Sequence, residues 1–198
     1  DGVDIDPTPV IGLLGVIDEL LRRPAGAVLT AGGELLQLGA SPLPAGALAG
    51  SRWAEAVHGH RGGALAVLDV SAHSALCGLV RGLVVDGVVD GVHDVADGGI
   101  GLTLAEMAVR SGVGFDVRLD GGHPNLFSEA PSRVVVCVAA SKVDEVQRRA
   151  AGAGVPVIPL GAAGGDRLVV SGLVDVELAA ATAAFMGALP GQLELIDI

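Results

Sequence analysis

Apolar and polar residues recur with two different periods along the chain, one typical of strands and the other of helices. Short apolar runs, which predict buried strands, occupy residues 10–17, 27–30 and 35–39. The segment "GASPLPAGALAGS" that follows is a loop by composition. From Ser71 onward the apolar residues recur every three or four positions, which predicts a helix with Asp69 or Ser71 as its N-cap.

The second half of the chain repeats this mixture of periods. Helical spacing predicts helices over 100–110, with Gly112 as the stop, from a capping box at 141–144, and over 176–189. Strand patterns lie at 114–119, 133–139, 155–161 and 166–172. The Gly164-Gly165-Asp166 turn predicts that the last two strands pair as a hairpin. We therefore expect an α/β (α+β) domain, with helices packed on a mixed sheet.

Composition agrees with a folded domain and excludes two classes of function. The chain has 198 residues, of which 51% are hydrophobic and 18% charged, enough for one large domain. A formal charge of -11 and 2% aromatic residues argue against nucleic-acid binding, which needs basic charge and stacking rings. No apolar stretch reaches the roughly 20 residues of a membrane-spanning helix. Cys77 and Cys137 form no CxxC motif, so we expect Cys137 to be a buried thiol and the location to be cytoplasmic.

Residues 93–101, "HDVADGGIG", combine chemical groups with a turn. One imidazole and two carboxylates precede two glycines and a predicted helix. Backbone amides at a helix start can hold an anion, and Asp94 could hold a divalent cation that bridges to phosphates. In the structural alternative, Asp97 caps the helix and the glycines relieve crowding. The stretch is neither a P-loop nor a dinucleotide fingerprint, because GxxxxGK and the third glycine are missing.

Five further segments stand in order around this motif. "PTPVIGLLGVIDEL" and "GSRWAEAVHGHRGG" precede it, and "LTLAEMAVRSGVG", "NLFSEAPSRVVVCV" and "GVPVIPLGAAGGDRLVV" follow it. In this order they resemble the C-terminal part of the formylglycinamidine ribonucleotide synthetases, ATP-dependent enzymes of purine biosynthesis. The usual wording in that family is close to HDxSDGGL, LAEMA and LFxESxxR. The resemblance covers nearly the whole chain.

The resemblance implies a domain organisation and a reaction. The family is built from two tandem aminoimidazole-ribonucleotide-synthetase-like units, each with an N-terminal sheet domain and a C-terminal α/β domain. Residues 1–25 would then be the tail of the second N-terminal-type domain, and residues 26–198 the second C-terminal-type domain. The family's reaction converts formylglycinamide ribonucleotide, ATP and ammonia to formylglycinamidine ribonucleotide, ADP and phosphate.

The resemblance also implies partners. A glutaminase subunit or domain supplies ammonia from glutamine, upstream synthetase domains complete the enzyme, and the substrate is a small ribonucleotide. Apolar surface left uncovered without those domains predicts self-association of this chain.

The family's site residues map onto the motif residue by residue. In the large single-chain relatives of this family, the aspartate that matches Asp94 helps to hold magnesium at an auxiliary nucleotide site, so Mg²⁺ and ATP or ADP are the expected cofactors. Asp97, Gly98 and Gly99 are the expected nucleotide-binding turn. Ala96 departs from the family pattern, which has a serine in contact with the nucleotide at this place. One hydroxyl donor is therefore lost.

The "FSEAPSR" segment supplies the remaining candidates. Ser128, Glu129 and Arg133 match a loop that binds the ribonucleotide substrate in the first unit of the family. In the second unit we expect a structural role, with Arg133 paired to Glu129. The family's principal catalytic residues lie upstream, so no catalytic residue is assigned here and the chain alone is expected to be inactive.

Two other functions compete with the ligase module. The first is a non-catalytic scaffold with a decayed nucleotide site, which Ala96 favours. The second is another enzyme of the same superfamily, such as selenophosphate synthetase or thiamine-monophosphate kinase. The "LFSEAPSR" and "PTPVIG" segments argue against that second alternative.

Overall fold

The computed structural model describes residues 9–16, 18–19, 22–39, 43 and 46–194. The strands within these residues are β1 (Glu34–Gly39), β2 (Gly91–Asp94), β3 (Phe115–Val117), β4 (Arg133–Val138), β5 (Val157–Ala163), β6 (Arg167–Val170) and β7 (Val174–Glu177). The helices are α1 (Arg52–His58), α2 (Val70–Val85), α3 (Gly99–Ser111), α4 (Gly122–Phe127), α5 (Val143–Gly152) and α6 (Leu178–Glu194), and a 3-10 turn (Ala140–Lys142) precedes α5.

The seven strands form one mixed sheet, which confirms the predicted fold class. Their order is β2-β4-β1-β5-β3-β6-β7. Every neighbouring pair is antiparallel except β3 and β6, which run parallel. None of the helices in the described part of the chain is long and apolar enough to cross a bilayer.

Helices cover both faces of the sheet, and each face has its own apolar core. Cys137 and Val135 of β4 point into the core beneath α3, α4 and the start of α6. Val136 and Val138 point into the opposite core, beneath α2 and α5. Burial on both faces explains why "VVVCV" is apolar without alternation.

The predicted hairpin between 155–161 and 166–172 is wrong, although both strands exist. β3 lies between them, antiparallel to β5 and parallel to β6. The Gly164–Gly165 turn instead bonds with Gly114 at the start of β3: Gly114 N–H donates to Gly165 O (2.9 Å), and Gly164 N–H donates to Gly114 O (2.7 Å). The turn is therefore wide enough to admit a third strand.

The predicted strands nearest the start of the chain are also wrong. Residues 10–16 have no regular secondary structure, and their large apolar side chains are between 80 and 99% exposed. A strand needs a ladder partner, and none of the described strands lies beside this run. Residues 27–30 likewise form no strand, and only Gly26 makes an isolated bridge, to Gly91. Residues 1–8, 17, 20–21, 40–42 and 44–45, which include parts of the predicted tail, strand and loop, lie outside the described residues.

Of the two helix caps predicted for α2 and α5, the first is correct and the second is wrong. The Asp69 side chain accepts a hydrogen bond from Ala72 N–H and caps α2, as predicted. Lys142, rather than Ser141, is the N-cap of α5, and it makes no side-chain capping bond, so the capping box is wrong. The 3-10 turn before α5 already satisfies the first amides of that region, since Lys142 N–H donates to Ala139 O.

Candidate functional site

The motif at 93–101 lies where the edge strand β2 ends and α3 begins. The half-buried His93 ring lies between two carboxylates, with Nδ1 3.1 Å from Asp94 Oδ1 and Nε2 3.1 Å from Glu106 Oε2. Glu106 comes from the second turn of α3, in the "LAEMA" segment. Glu106 was not among the predicted site residues, although the "LAEMA" segment that contains it matches the family wording. The Asp94 side chain is 74% exposed and faces solvent.

The α3 start is capped from outside its own segment. Gly98, in the left-handed region at φ 75°, is the N-cap residue and makes no side-chain cap bond, so Asp97 does not cap the helix. Glu129 Oε1 accepts a hydrogen bond from Gly98 N–H at 2.7 Å and a second from Arg52 N–H, at the start of α1, at 2.8 Å. One carboxylate oxygen thus holds the starts of two helices, where their partial positive charge favours an anion.

The second glycine of the turn is needed for packing. A Cβ on Gly99 would lie 2.6 Å from Leu126 O and 2.7 Å from Ser128 O, and its φ of +67° is left-handed. Gly99 N–H donates to Ala96 O at 3.0 Å. Both glycine amides of the expected nucleotide-binding turn are therefore engaged within the chain, and the glycine relieves crowding against the end of α4.

The "FSEAPSR" loop between α4 and β4 is held by its own polar residues. Ser128 is buried, and its Oγ accepts a hydrogen bond from Ala130 N–H at 3.2 Å. Arg133 is only 2% exposed and donates to the carbonyl oxygens of Ser128 and Ala130 and to the side-chain oxygen of Asn125. Burial lowers the pKa of Arg133 to about 10, so the guanidinium is still charged at neutral pH.

The expected pairing of Arg133 with Glu129 is wrong. The guanidinium points into the loop, where backbone carbonyls replace a carboxylate partner. The Glu129 carboxylate points the other way, toward the starts of α1 and α3. The loop is thereby tied to β4 on one side and to two helices on the other.

The metal prediction for this region concerns Asp94, whose carboxylate is exposed. Within the described residues, no group of three or more histidine, cysteine, aspartate or glutamate side chains is arranged to hold a metal ion. Mg²⁺ commonly takes one or two protein carboxylates and completes its shell with water and phosphate oxygens. Asp94 fits that limited role.

An apolar groove of about 440 Å³ runs beside α3. Its walls include Trp53, Leu102, Phe127 and Val176, and Trp53 and Phe127 are stacked with ring centroids 6.0 Å apart. The Trp53 ring also meets the His58 ring edge-on, with centroids 4.9 Å apart. The groove suits an apolar surface rather than phosphate groups.

The class of domain is defined by a mixed sheet whose edge strand ends at His93 and Asp94. A double-glycine helix start follows, and Glu129 caps it. Residues 25–185 match the family described as AIR synthase related protein, C-terminal domain, and the chain belongs to this family.

Within that class the chain is similar to one kind of enzyme subunit. It is 40% identical, over 94% of its length, to the phosphoribosylformylglycinamidine synthase subunit PurL of Nocardioides sp., and 38% identical, over 94%, to that of Thermobifida fusca. It spans about a quarter of the length of these relatives, 24% and 25%.

Solved structures agree at the level of the fold. Thermotoga maritima PurL complexed with ATP superposes with a TM-score of 0.62 at 17% identity, covering 80% of this chain and 27% of that one. The same Thermotoga maritima protein has been solved with FGAR, at a TM-score of 0.63, and as PurLQS, at 0.62.

Proposed function

We propose that the chain is the C-terminal module of a phosphoribosylformylglycinamidine synthase, the ligase that makes formylglycinamidine ribonucleotide. The observation that carries this proposal is the 40% identity to the Nocardioides subunit along 94% of the chain. In the proposed reaction, ATP transfers its γ-phosphoryl group to the amide oxygen of formylglycinamide ribonucleotide. Ammonia then attacks the activated carbon, and phosphate leaves, giving the amidine, ADP and phosphate.

The module contributes no catalytic residue to this reaction in our proposal. Asp94 would give one carboxylate oxygen to a Mg²⁺ ion that carries nucleotide phosphates, and the metal would neutralise phosphate charge there. Ser128, Glu129 and Arg133 would act as structural residues that hold the loop beside that position. The upstream synthetase domains would bring the substrate and catalytic groups.

A chimeric enzyme tests the module role. We would replace the matching quarter of the Nocardioides subunit with this chain and measure glutamine-dependent amidine formation with its glutaminase partner. Activity within about tenfold of the parent is the expected result. A chimera that folds and binds its partner, but makes no product, would contradict the proposal. The same chimera with Asp94→Asn separates a metal role from a purely structural one.

A non-catalytic scaffold is the second candidate, and a specific observation favours it. The Gly98 amide is occupied by Glu129 and the Gly99 amide by Ala96 O, so two donors of the expected nucleotide turn are already used. Ala96 also lacks the serine hydroxyl of the family pattern. In this alternative the module supports domain packing only.

Calorimetric titration of Mg-ADP into the chain distinguishes the two candidates. Binding that Asp94→Asn abolishes would support a working nucleotide site. Absence of binding to the folded chain, together with an active chimera, would support the scaffold role within the same ligase.

The partners and location extend the proposal. PurLQS of Thermotoga maritima is consistent with partner subunits, and we propose a glutaminase and the upstream synthetase domains as partners here. The exposed apolar run at 10–16 supports self-association of the isolated chain, which light scattering would detect as a mass above one chain. The boundary at residues 25 and 26 and the cytoplasmic location remain predictions.

A further inference from the structure

A thiol, an imidazole and a hydroxyl lie close together where α2 meets the turn before β4. Cys77 is exposed, and its Sγ lies 3.6 Å from His73 Nε2, one helical turn earlier. The other ring nitrogen, His73 Nδ1, lies 3.0 Å from Ser132 Oγ, in the turn before β4. With the proton on Nδ1, the ring donates to Ser132 and leaves Nε2 to accept from the thiol.

The core holds these three groups in place. Leu76 and Leu79 anchor α2 in the apolar cluster beneath it. Ser132 has a positive φ of 64°, and its carbonyl packs so closely on β1 that a Cβ on Gly39 would lie 2.0 Å from it. A non-glycine residue in this conformation stays there only when its surroundings hold it. The three groups therefore lie on two fixed segments, the helix α2 and the turn before β4.

The surface around Cys77 is open and contains a positive charge. A Cβ placed on Gly78 or on Gly82 would meet nothing within 4 Å, so none of the described residues crowds the helix surface at these two positions near Cys77. Arg81 follows Cys77 by four residues on the same face of the helix. Cys137, in contrast, is buried, and burial raises the pKa of its thiol.

We propose that Cys77 is a thiol-modification site that reacts with anionic low-molecular-weight disulfides, with His73 as the base and Ser132 as its positioning residue. The proposal does not rest on the proposed ligase function, although Ser132 belongs to the "FSEAPSR" loop. The reactivity of Cys77 can be measured on the chain as it stands, whatever the chimera shows.

The reaction is a thiol–disulfide exchange. His73 Nε2 takes the thiol proton while Cys77 Sγ attacks one sulfur of the incoming disulfide. The new S–S bond forms as the old one breaks, and the electron pair leaves on the second sulfur as a thiolate. Cys77 is oxidised and the small disulfide is reduced, so no further oxidant is needed. Arg81 favours a disulfide that carries carboxylates.

The test is the rate of modification by two aromatic disulfides, dithiobis-nitrobenzoate, which is anionic, and dithiodipyridine, which is neutral. We expect one fast thiol in the native chain, absent in Cys77→Ser, and a second that reacts only after unfolding. His73→Gln should slow the fast reaction by about tenfold with both reagents, because the base is lost. His60→Gln, an exposed histidine elsewhere, is the matched control and should leave the rate unchanged.

Two further variants keep the test decisive. Ser132→Gly removes the hydroxyl and suits the positive φ, so the fold is retained, and the fast reaction should slow by about threefold. Arg81→Gln should slow only the anionic reagent. A fast rate that is unchanged in both His73→Gln and Ser132→Gly, with unfolding curves like those of the unmodified chain, would overturn the proposal.

Discussion

Replacing Glu129 with glutamine keeps the length of the side chain and removes its charge. In the structure one oxygen of this carboxylate accepts from Gly98 N–H at 2.7 Å and from Arg52 N–H at 2.8 Å. Hydrogen bonds to charged groups contribute about 1.5–3 kcal/mol, and neutral ones about 0.5–1.5 kcal/mol. Glu129 is half-buried and the Arg52 bond lies near solvent, so values at the low end apply.

We therefore expect Glu129→Gln to lower the free energy of unfolding by about 1 kcal/mol. Glu129→Ala leaves both amides without this acceptor and should lower it by about 2 kcal/mol. For a chain of this length that corresponds to a fall in Tm of roughly 3 °C and 6 °C. Urea unfolding followed by circular dichroism measures both changes. Asp97→Asn is the matched control, because this exposed carboxylate is in the same turn and does not cap α3, and its change should stay within about 0.5 kcal/mol.

The same variants test whether Glu129 occupies the place of an anion. Phosphate in solution should restore part of the stability lost in Glu129→Ala, because it can lie at the vacated helix starts and binds only the folded chain. The unmodified chain should gain less. A Glu129→Ala chain that is as stable as the Asp97→Asn control would refute the double-cap reasoning.

Three other residues give independent predictions. Arg133→Met should cost about 3 kcal/mol, because two loop carbonyls lose their buried donor; Arg118→Met, at a side chain 81% exposed, should be near neutral in the same urea titration. Gly99→Ala should lower the free energy of unfolding by at least about 3 kcal/mol, because its Cβ would lie closer than 3 Å to backbone atoms at a positive φ. Gly78→Ala, which has open space in mid-helix, should raise the free energy of unfolding by about 0.5 kcal/mol. Equal Tm values for the two variants would contradict this prediction. Burial raises the pKa of Cys137 above its ordinary value of 9.0, so above that pH the thiol ionises in the unfolded chain before it does in the folded one, and the free energy of unfolding falls as pH rises. Urea unfolding at about pH 8 and pH 10 should show a smaller fall in this free energy for Cys137→Ala than for the unmodified chain. Equal falls in the two chains would refute the assignment.

Local patterns predicted the elements that depend on local contacts. α2 was predicted because its capping Asp69 lies close in sequence to the first residues of its apolar stripe. α3 was predicted to stop at Gly112, which is its C-cap in the left-handed region. β4 was found because burial on both faces leaves an apolar run. In each case the signal and the structure lie in the same short window.

Contacts between distant segments explain what the sequence could not reveal. The Gly164–Gly165 turn has the composition of a hairpin turn, but Gly114, far away in the chain, bonds to it and brings β3 between the two strands. From the sequence, Glu129 was a candidate for substrate binding or for an ion pair with Arg133. Its role as a cap depends on the Arg52 and Gly98 amides, which come from distant parts of the chain. The order of the sequence segments was enough to indicate the family. It could not show that the Gly98 and Gly99 amides already have hydrogen-bond partners within the chain.

The insertion of β3 between β5 and β6 affects the order in which this domain can fold. Two strands joined by a short glycine turn would pair within microseconds if they met alone. Here that rapid pairing would be non-native, because its ladder hydrogen bonds belong to β3. β6 can pair with β7 through a local turn, but β5 and β6 each gain β3 as a partner only when a long loop closes, and such closure carries an entropic cost. We expect the folding rate to be limited by this long-range step, and substitutions that strengthen the glycine turn as a tight hairpin to slow folding.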